Sequence, residues 1–496
     1  MNRLLLLALL FLSCGGSLLG REFTVLTYNV ENLFDLDRVA LYSDYRQGDG
    51  ADYGVEPLLN KLEGIRQILT TFNEGDGPEI ILFQEFELDR TPFGTPEAAA
   101  FLQTTNGQSL EDLLRTASWA LDLPAELLLL KYLDDHGIRG YKIAQADPYE
   151  MENHPPHKNV VFSRFPVLEI RQRSMLQARD LLVVEVEVDG HELVLLNNHW
   201  KSGASNATTE PIRVQNARVV RAELDAILYT NPRADVIIAG DLNSYYNHSA
   251  AFPKLQITAV NDVLGANGFE DRMPVEGSSN LYNLWFELDP NERGSEVYRG
   301  YWGTLMQMII TPGLYDQRGI QYVDNSFQRL ARPGMNVETR WMRPKRWTNY
   351  GGGYGFSDHL PIYAKFRTVD ESQEGLWMPL KDPSSEKMND FRPEVLFSKM
   401  NRKAVQPAGV LESLSPSERA RLIGELFRLD TKLSDAGPPR VQVGDMTLEL
   451  YSPVREIRDK LRAMKAGDPI RAHADLDVFR GNLQLVIRDK SWLKNP

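Results

Sequence analysis

Between residues 22 and 368 the chain alternates short apolar runs of strand length with stretches of helical periodicity, and several runs stop abruptly on polar groups. A chain written this way buries its runs as the inner strands of layered sheets and covers them with helices, which makes an α/β domain. The runs are 23–30, 79–83, 159–163, 181–188, 192–197, 235–239, 305–311 and 361–366. Asp189-Gly190 separates two of them and predicts a tight hairpin. Helical spacing places Leu58, Leu62, Ile65, Ile68, Leu69 and Phe72 on one face, and Val214, Ala217, Val220, Leu224 and Leu228 on another. Residues 95–135, rich in Ala and Leu, also read as helical.

At 496 residues the chain is too long for one compact core, so more than one domain is expected. Residues 1–20 read as a signal peptide: Arg3 precedes the apolar run Leu4 to Leu12, which is too short to span a bilayer, and small residues follow. The only cysteine, Cys14, sits inside this leader. Ser13 and Gly15 around it suit the lipid-bearing cysteine of a bacterial lipoprotein, whereas Phe11 and Leu12 do not, so both simple cleavage and a lipid anchor stay open. Either route makes the protein exported, secreted or periplasmic, with no later transmembrane span and no disulfide in the mature domains. The first large domain is expected over 22–368. Residues 369–392, rich in Ser, Pro and charge, read as a linker or strap. Ser415-Pro416-Ser417-Glu418 predicts a capped helix start within 369–436. A small β domain is expected over 437–496.

The polar ends of the runs suit phosphate and metal chemistry. Phosphodiester hydrolysis needs a cation to neutralise charge, a group to prepare water, and donors aimed at the phosphoryl oxygens. Glu85 follows a buried run and is placed to ligate Mg²⁺, which takes hard oxygen donors. Asp241 and Asn243 lie two residues apart, so extended chain puts both on one face. Asp358-His359 joins a carboxylate to an imidazole just before a run, and His199 ends another, so two histidines can converge on one phosphate. Lys201 would add charge, and Asn198 is counted with it as substrate-binding. The bland readings are that Asp241-Leu242-Asn243 is a turn, Asp358-His359 a surface loop and His199 a satisfied core histidine. It is the company of the motifs that favours a site.

Together the motifs resemble the endonuclease/exonuclease/phosphatase superfamily, with its DNase I-like fold. The resemblance covers about 22–368 and is strongest in Tyr28 to Asp35, Gly240-Asp241-Leu242-Asn243 and Ser357-Asp358-His359, which occur in the family's order. It implies a four-layer sandwich of two mixed β-sheets flanked by helices. It implies Glu85 and Asp358 as metal-side carboxylates, with Asn29, Asp241, Asn243, His199 and His359 acting on water and phosphate around Mg²⁺ (or Mn²⁺). One departure stands out: Met306 lies where the family carries an aspartate that orients the catalytic histidine, and Asp271 or Asp324 is a conceivable substitute. The tail around Asp475 to Ile487 resembles an OB-fold, which implies a small barrel that binds single-stranded nucleic acid or oligosaccharide, with a packing or interdomain role as the rival reading.

The net charge of −13 argues against a protein held on nucleic acid by bulk charge. The expectation is therefore an exported, metal-dependent phosphodiesterase, a nuclease on DNA or RNA. The alternatives are a phosphatase or phospholipase-type hydrolase on lipid head groups or inositol phosphates, and an inactive nucleic-acid-binding protein, for which Met306 is the chief argument. The basic, Trp-containing run 329–346 offers a further grip on a polyanion, or is simply a solvated loop. His154 and His157 suggest a metal pair, with a mobile loop as the rival.

Overall fold

The computed structural model describes residues 20–46, 53–90, 97–147, 155–369, 376–399 and 405–494. The expected leader up to residue 19, with Cys14, lies outside them, as does His154. No helix among the described residues is long and apolar enough to cross a membrane.

Two seven-stranded sheets form the large unit. In the first, Ile320–Tyr322, Ile362–Thr368, Glu22–Leu33, Ile80–Glu87, His157–Ser163 and Lys142–Gln145 pair in that order, and Gln328–Arg329 adds to Ile362–Thr368. In the second, the order is Val167–Arg173, Leu181–Val188, His191–His199, Val236–Asp241, Met306–Ile310, Leu281–Asn283 and Ala266–Asn267. Both sheets are mixed. Glu22–Leu33 runs parallel to Ile80–Glu87 and antiparallel to Ile362–Thr368, and His191–His199 runs parallel to Val236–Asp241.

Side-chain alternation builds the four layers. Val25, Ile80, Leu82 and Val161 of the first sheet meet Leu182, Val184, Leu195, Ile237 and Met308 of the second in one buried core. The opposite faces take helices. Leu26, Ile81, Phe83 and Phe162 pack on Leu58, Leu62, Ile65 and Leu129, from the helices Val55–Leu69 and Ala125–Asp135. Val183, Leu196 and Ile238 pack on Val214, Ala217, Val220 and Leu224 of the helix Glu210–Thr230. The hairpin at Asp189-Gly190 forms with both residues at positive φ, 51° and 90°, as its sequence predicts.

The tail is a closed five-stranded barrel. Leu426–Ala436, Pro439–Val443, Met446–Tyr451, Asn482–Val486 and Pro469–Phe479 pair in turn, and the last closes on the first. A helix, Arg455–Ala463, connects the third strand in sequence to the fourth. Leu426–Ala436 falls in the stretch read as linker, so the boundary expected at 437 cuts into the barrel. The strand escapes a composition-based reading because its outward positions are Arg428, Asp430, Lys432 and Ser434. The capping box at Ser415 is present, on a short helix, Pro416–Ala420. Residues 376–399 run as a strap, bridging to the sandwich at Trp377, Ser385 and Glu394.

Candidate active site

The site lies where strand ends of the two sheets face each other. Asn29 pairs with Gln84 in the parallel register, and beyond that point both strands become irregular. Glu31, Asn32 and Glu85 all adopt positive φ, at 53°, 66° and 67°. Left-handed conformations cost about 1–3 kcal/mol at such residues and persist where the surroundings fix them. The irregularity interrupts the simple alternation and re-aims Glu85. On the second sheet His199 pairs in register with Asp241, and Met306 pairs with Asp241 from the other side. Gly240, at φ 126°, is required here, since a Cβ would fall 2.1 Å from the Asn198 carbonyl oxygen.

A polar layer beneath the site fixes how the sheets meet. Gln84 donates to the Asn197 side-chain oxygen at 2.7 Å, and Asn197 donates to the Phe83 and Val160 carbonyls at 3.1 Å each. Above it, one amide joins the sheets: Asn29 Nδ2 donates to Glu85 Oε1 at 3.0 Å and to Asp241 Oδ2 at 3.2 Å. Asp241 Oδ1 accepts the Asn243 N–H at 2.9 Å, and the Asn243 amide donates to the Trp200 carbonyl. His199 Nε2 stands 3.5 Å from Asp241 and 3.8 Å from Glu85. His359 Nε2 stands 3.7 Å from Asp241 and 3.8 Å from Asp358. Ser357 fixes this last loop by donating to the Asn29 carbonyl and accepting the His359 N–H.

The two imidazoles differ in charge. Burial pushes His199 well below the usual histidine range, and Arg179, His157 and His359 push the same way, so it is neutral. Burial would also lower His359, but Asp358, Asp241, Glu296 and Glu85 outweigh it and raise it to about 9. Glu85 is raised by burial and then by Asp358.

Asn29, Glu85, His199, Asp241, Asn243 and His359 thus meet in one place. Asp358 is at the rim, its side chain 44% exposed, and does not join Glu85, His199 and Asp241, whose ligand atoms all lie within 4.8 Å of one another. Asn198 is a correction. Alternation turns it away from the site, and its fully buried amide is spent on the Leu196 and Ala239 carbonyls and the Trp200 indole. Lys201 engages Asn216 and Arg213 through its main chain, and among the described residues its ammonium joins no site group.

Neither Asp271 nor Asp324 reaches His359. The carboxylate on that side is Glu296, whose Oε2 lies 4.0 Å from His359 Nδ1. Glu296 opens a two-stranded hairpin, Glu296–Tyr298 with Tyr301–Gly303, and accepts the Leu305 N–H, directly before Met306. Burial lifts its carboxyl to about 7. The sequence carries no signal for it, since the hairpin falls within an apparent insertion. Arg179 was also missed. It bears electrostatically on Glu85 and His199 and is held by His157 at 3.0 Å, which in turn contacts Asn32 at 2.7 Å. Both ring nitrogens of buried His157 are thus engaged, and His154, its partner in the expected metal pair, lies outside the described residues.

Most of the basic run is engaged within the protein. Arg340 pairs with Glu425, Arg343 with Glu338 and Asp475, and Arg346 with Glu31. Arg329 donates to the Gly294 carbonyl and lies over Trp302.

The donor set fits a divalent cation. Two carboxylates converge with a neutral imidazole, no Lys or Arg among the described residues forms an ion pair with either, and burial raises Glu85 despite the field of Arg179, as expected of a carboxylate awaiting positive charge.

The family model described as Endonuclease/Exonuclease/phosphatase family matches residues 105–368. No curated protein matches. Among solved structures, TDP2 from C. elegans is 16% identical with a TM-score of 0.38, covering 71% of this chain and 78% of its own. An endonuclease/exonuclease/phosphatase family protein from Bacteroides thetaiotaomicron is 13% identical with a TM-score of 0.37, covering 71% and 99%. Sphingomyelinase C from Streptomyces griseocarneus is 14% identical with a TM-score of 0.35, covering 70% and 99%.

Proposed function

The chain belongs to the endonuclease/exonuclease/phosphatase family, and from that premise we propose that it is a divalent-metal-dependent phosphodiesterase of nuclease type, acting on DNA or RNA. The observation that carries the reading is the Asn29 amide, which ties Glu85 of one sheet to Asp241 of the other with both imidazoles within 4 Å of Asp241. Asn29 and Glu85 lie outside the stretch the family model matches, so the geometry adds to that match.

Glu85, Asp241 and His199 would hold the cation, Mg²⁺ or Mn²⁺, which when bound neutralises charge on the phosphate and the departing oxygen. The remaining work falls to the chain. Asp241 accepts the proton of the attacking water, because it is anchored through Oδ1 by the Asn243 N–H and keeps Oδ2 toward the pocket. His359 is cationic near neutral pH and stabilises charge on the phosphoryl oxygens. Arg179, which acts on Glu85 and His199 through its charge, and Asn243, once its amide leaves the Trp200 carbonyl, would complete the donors around the phosphate. Glu296, 4.0 Å from His359 Nδ1, takes the part expected of an aspartate at Met306 by closing onto the otherwise unpartnered Nδ1, and this supports an active enzyme over an inactive one. Export rests on Arg3 and the apolar run Leu4 to Leu12.

The test is a substrate panel with the purified mature chain and added Mg²⁺ or Mn²⁺. Release of acid-soluble nucleotide, abolished by EDTA and by His359→Ala, is the expected result. Release of free phosphate or head group with nucleic acid left intact would overturn the nuclease reading. Binding of nucleic acid without turnover of any ester would overturn the enzyme.

A further inference from the structure

A second acidic cluster lies away from the active site, where the strap crosses the sandwich. Glu270, Glu287 and Asp324 each offer a carboxylate oxygen, all within 4.8 Å of one another. The strap supplies two of their contacts: the Ser384 N–H reaches Glu270 at 3.0 Å and the Lys381 N–H reaches Asp324 at 2.6 Å. Tyr315 and Tyr322 donate hydroxyls to Glu270 and Glu287, at 3.1 and 2.5 Å. Among the described residues no Lys, Arg or His pairs with any of the three.

Acidic clusters are common without ions, so the deciding feature is a different group. The Tyr282 side chain is fully buried, and its hydroxyl has no hydrogen-bond partner. It bears electrostatically on both Glu270 and Glu287, which places it beside the cluster. Glu287 Oε1 and Asp324 Oδ1 are likewise buried without a partner. Its nearest polar influence outside the carboxylates is Ser384 of the strap, which makes no well-formed hydrogen bond to it, so the phenol oxygen keeps a lone pair for a cation. Leaving buried polar atoms unmatched is costly, and here the four donors to the cluster still leave Glu287 Oε1 and Asp324 Oδ1 unmatched.

We propose that Glu270, Glu287, Asp324 and the Tyr282 hydroxyl form a structural site for a hard divalent cation of the Ca²⁺ class, which pins the strap to the sandwich. The ligands are all oxygen, and ligands up to 4.8 Å apart fit a Ca²⁺ sphere of 2.3–2.6 Å radius better than the tighter Mg²⁺ sphere. The strap also carries Glu386, which pairs with buried Arg293 at 2.6 Å, three residues before Glu296. A cation here therefore steadies the hairpin that faces His359. Burial and Asp324 raise Glu270 to about 7, and burial also holds Glu287 well above the usual carboxylate range, in keeping with carboxyls that surrender protons when a cation enters.

The site is independent of the hydrolase reading and is tested without turnover. The full mature chain carrying Asp241→Asn, which weakens the catalytic cation site, is stripped with EDTA and titrated with CaCl₂ to about 1 mM, the range of extracellular sites. Calorimetry should show one bound Ca²⁺ per chain and a melting temperature raised by several degrees. Adding Glu287→Gln should abolish both effects. Asp324→Asn serves if that variant fails to fold, and Tb³⁺ emission sensitised by the surrounding tyrosines and quenched by Ca²⁺ gives a readout without either substitution. A melting temperature unmoved by Ca²⁺, or an equal Ca²⁺ response in the Glu287→Gln protein, would overturn the site. So would a Glu287→Gln protein more stable than its parent at every Ca²⁺ concentration, the signature of carboxyls that merely share protons.

Discussion

Glu296 and Asn198 show how far single residues can depart from what a motif implies. Glu296 is remote in sequence from His359 and lies in the hairpin just before Met306, and that hairpin at 296–303 brings its carboxylate to 4.0 Å from His359 Nδ1. As a positioning residue it acts through the imidazole. Glu296→Gln should lower kcat about 10–100-fold with KM nearly unchanged, and should shift the pH profile of kcat; Glu296→Asp should recover part of the loss. Steady-state kinetics across pH on folded variants checks this, and a change confined to KM would argue against it. Asn198 is the converse case. It sits beside His199 in the motif, yet its amide makes three buried hydrogen bonds inside the second sheet. Asn198→Ala should cost about 2–3 kcal/mol in urea unfolding while specific activity per folded molecule is retained. Asn243→Ala should do the reverse. Period-2 alternation from His199 already separates the two faces, so that distinction was legible in principle.

At the scale of elements, what the sequence spells out is the regular part. Each apolar run became a strand because burial on both faces demands a continuous run, and the helix faces followed from their spacing. The irregular part was not legible. Nothing in Thr27 to Asn32 or Phe83-Gln84-Glu85 announces positive φ at Glu31, Asn32 and Glu85, because the surrounding packing imposes it. The helix Val55–Leu69 supplies some of that packing: buried Lys61 donates to the Val30, Glu31 and Phe356 carbonyls. Two residues on, Glu63 accepts from Arg66 and Gln67 of its own helix and from Tyr132 of the neighbouring one. Burial pushes the Glu63 carboxyl up, but these hydrogen bonds outweigh it and bring it down to about 2 from 4.5. A depressed folded pKa means the unfolded chain binds the extra proton first. The stabilisation is therefore complete above about pH 4.5 and fades as pH falls toward 2. Allowing for partial exposure, Glu63→Gln should cost about 1 kcal/mol at pH 7, shrinking by more than half at pH 3. Denaturant midpoints of the two proteins at both pH values check it, and a pH-independent difference would show that the carboxylate is not responsible.

For the whole molecule, the question is whether the barrel is a separate binding module or part of the enzyme's body. The packing favours the second. Trp341 of the basic run, Phe397 of the strap and Trp492 of the tail form one aromatic joint, with ring centroids 5.1–5.9 Å apart. The Trp492 indole donates to the Phe397 carbonyl at 3.0 Å. Fully buried Asp475 of the barrel accepts from Arg488 at 2.6 Å and from Arg343 at 3.2 Å. Leu360, next to His359, belongs to the same apolar cluster as Val337, Trp341 and the barrel interior. The run 329–346 drew attention as a polyanion grip because sequence shows charge without its partners, and those partners lie in the barrel and the first strand. Two units that share a core unfold together, so calorimetry of the mature chain should show one cooperative transition. Asp475→Ala removes a buried acceptor from two arginines that keep Glu338 and Asp477 and should cost about 1–3 kcal/mol, lowering that single transition without splitting it. A cut before Leu426 removes whole strands and should uncover Trp341 and Phe397, giving dye binding and lost turnover through the His359 loop. Two resolved transitions in the intact chain, with turnover surviving the cut, would instead make the barrel an independent module.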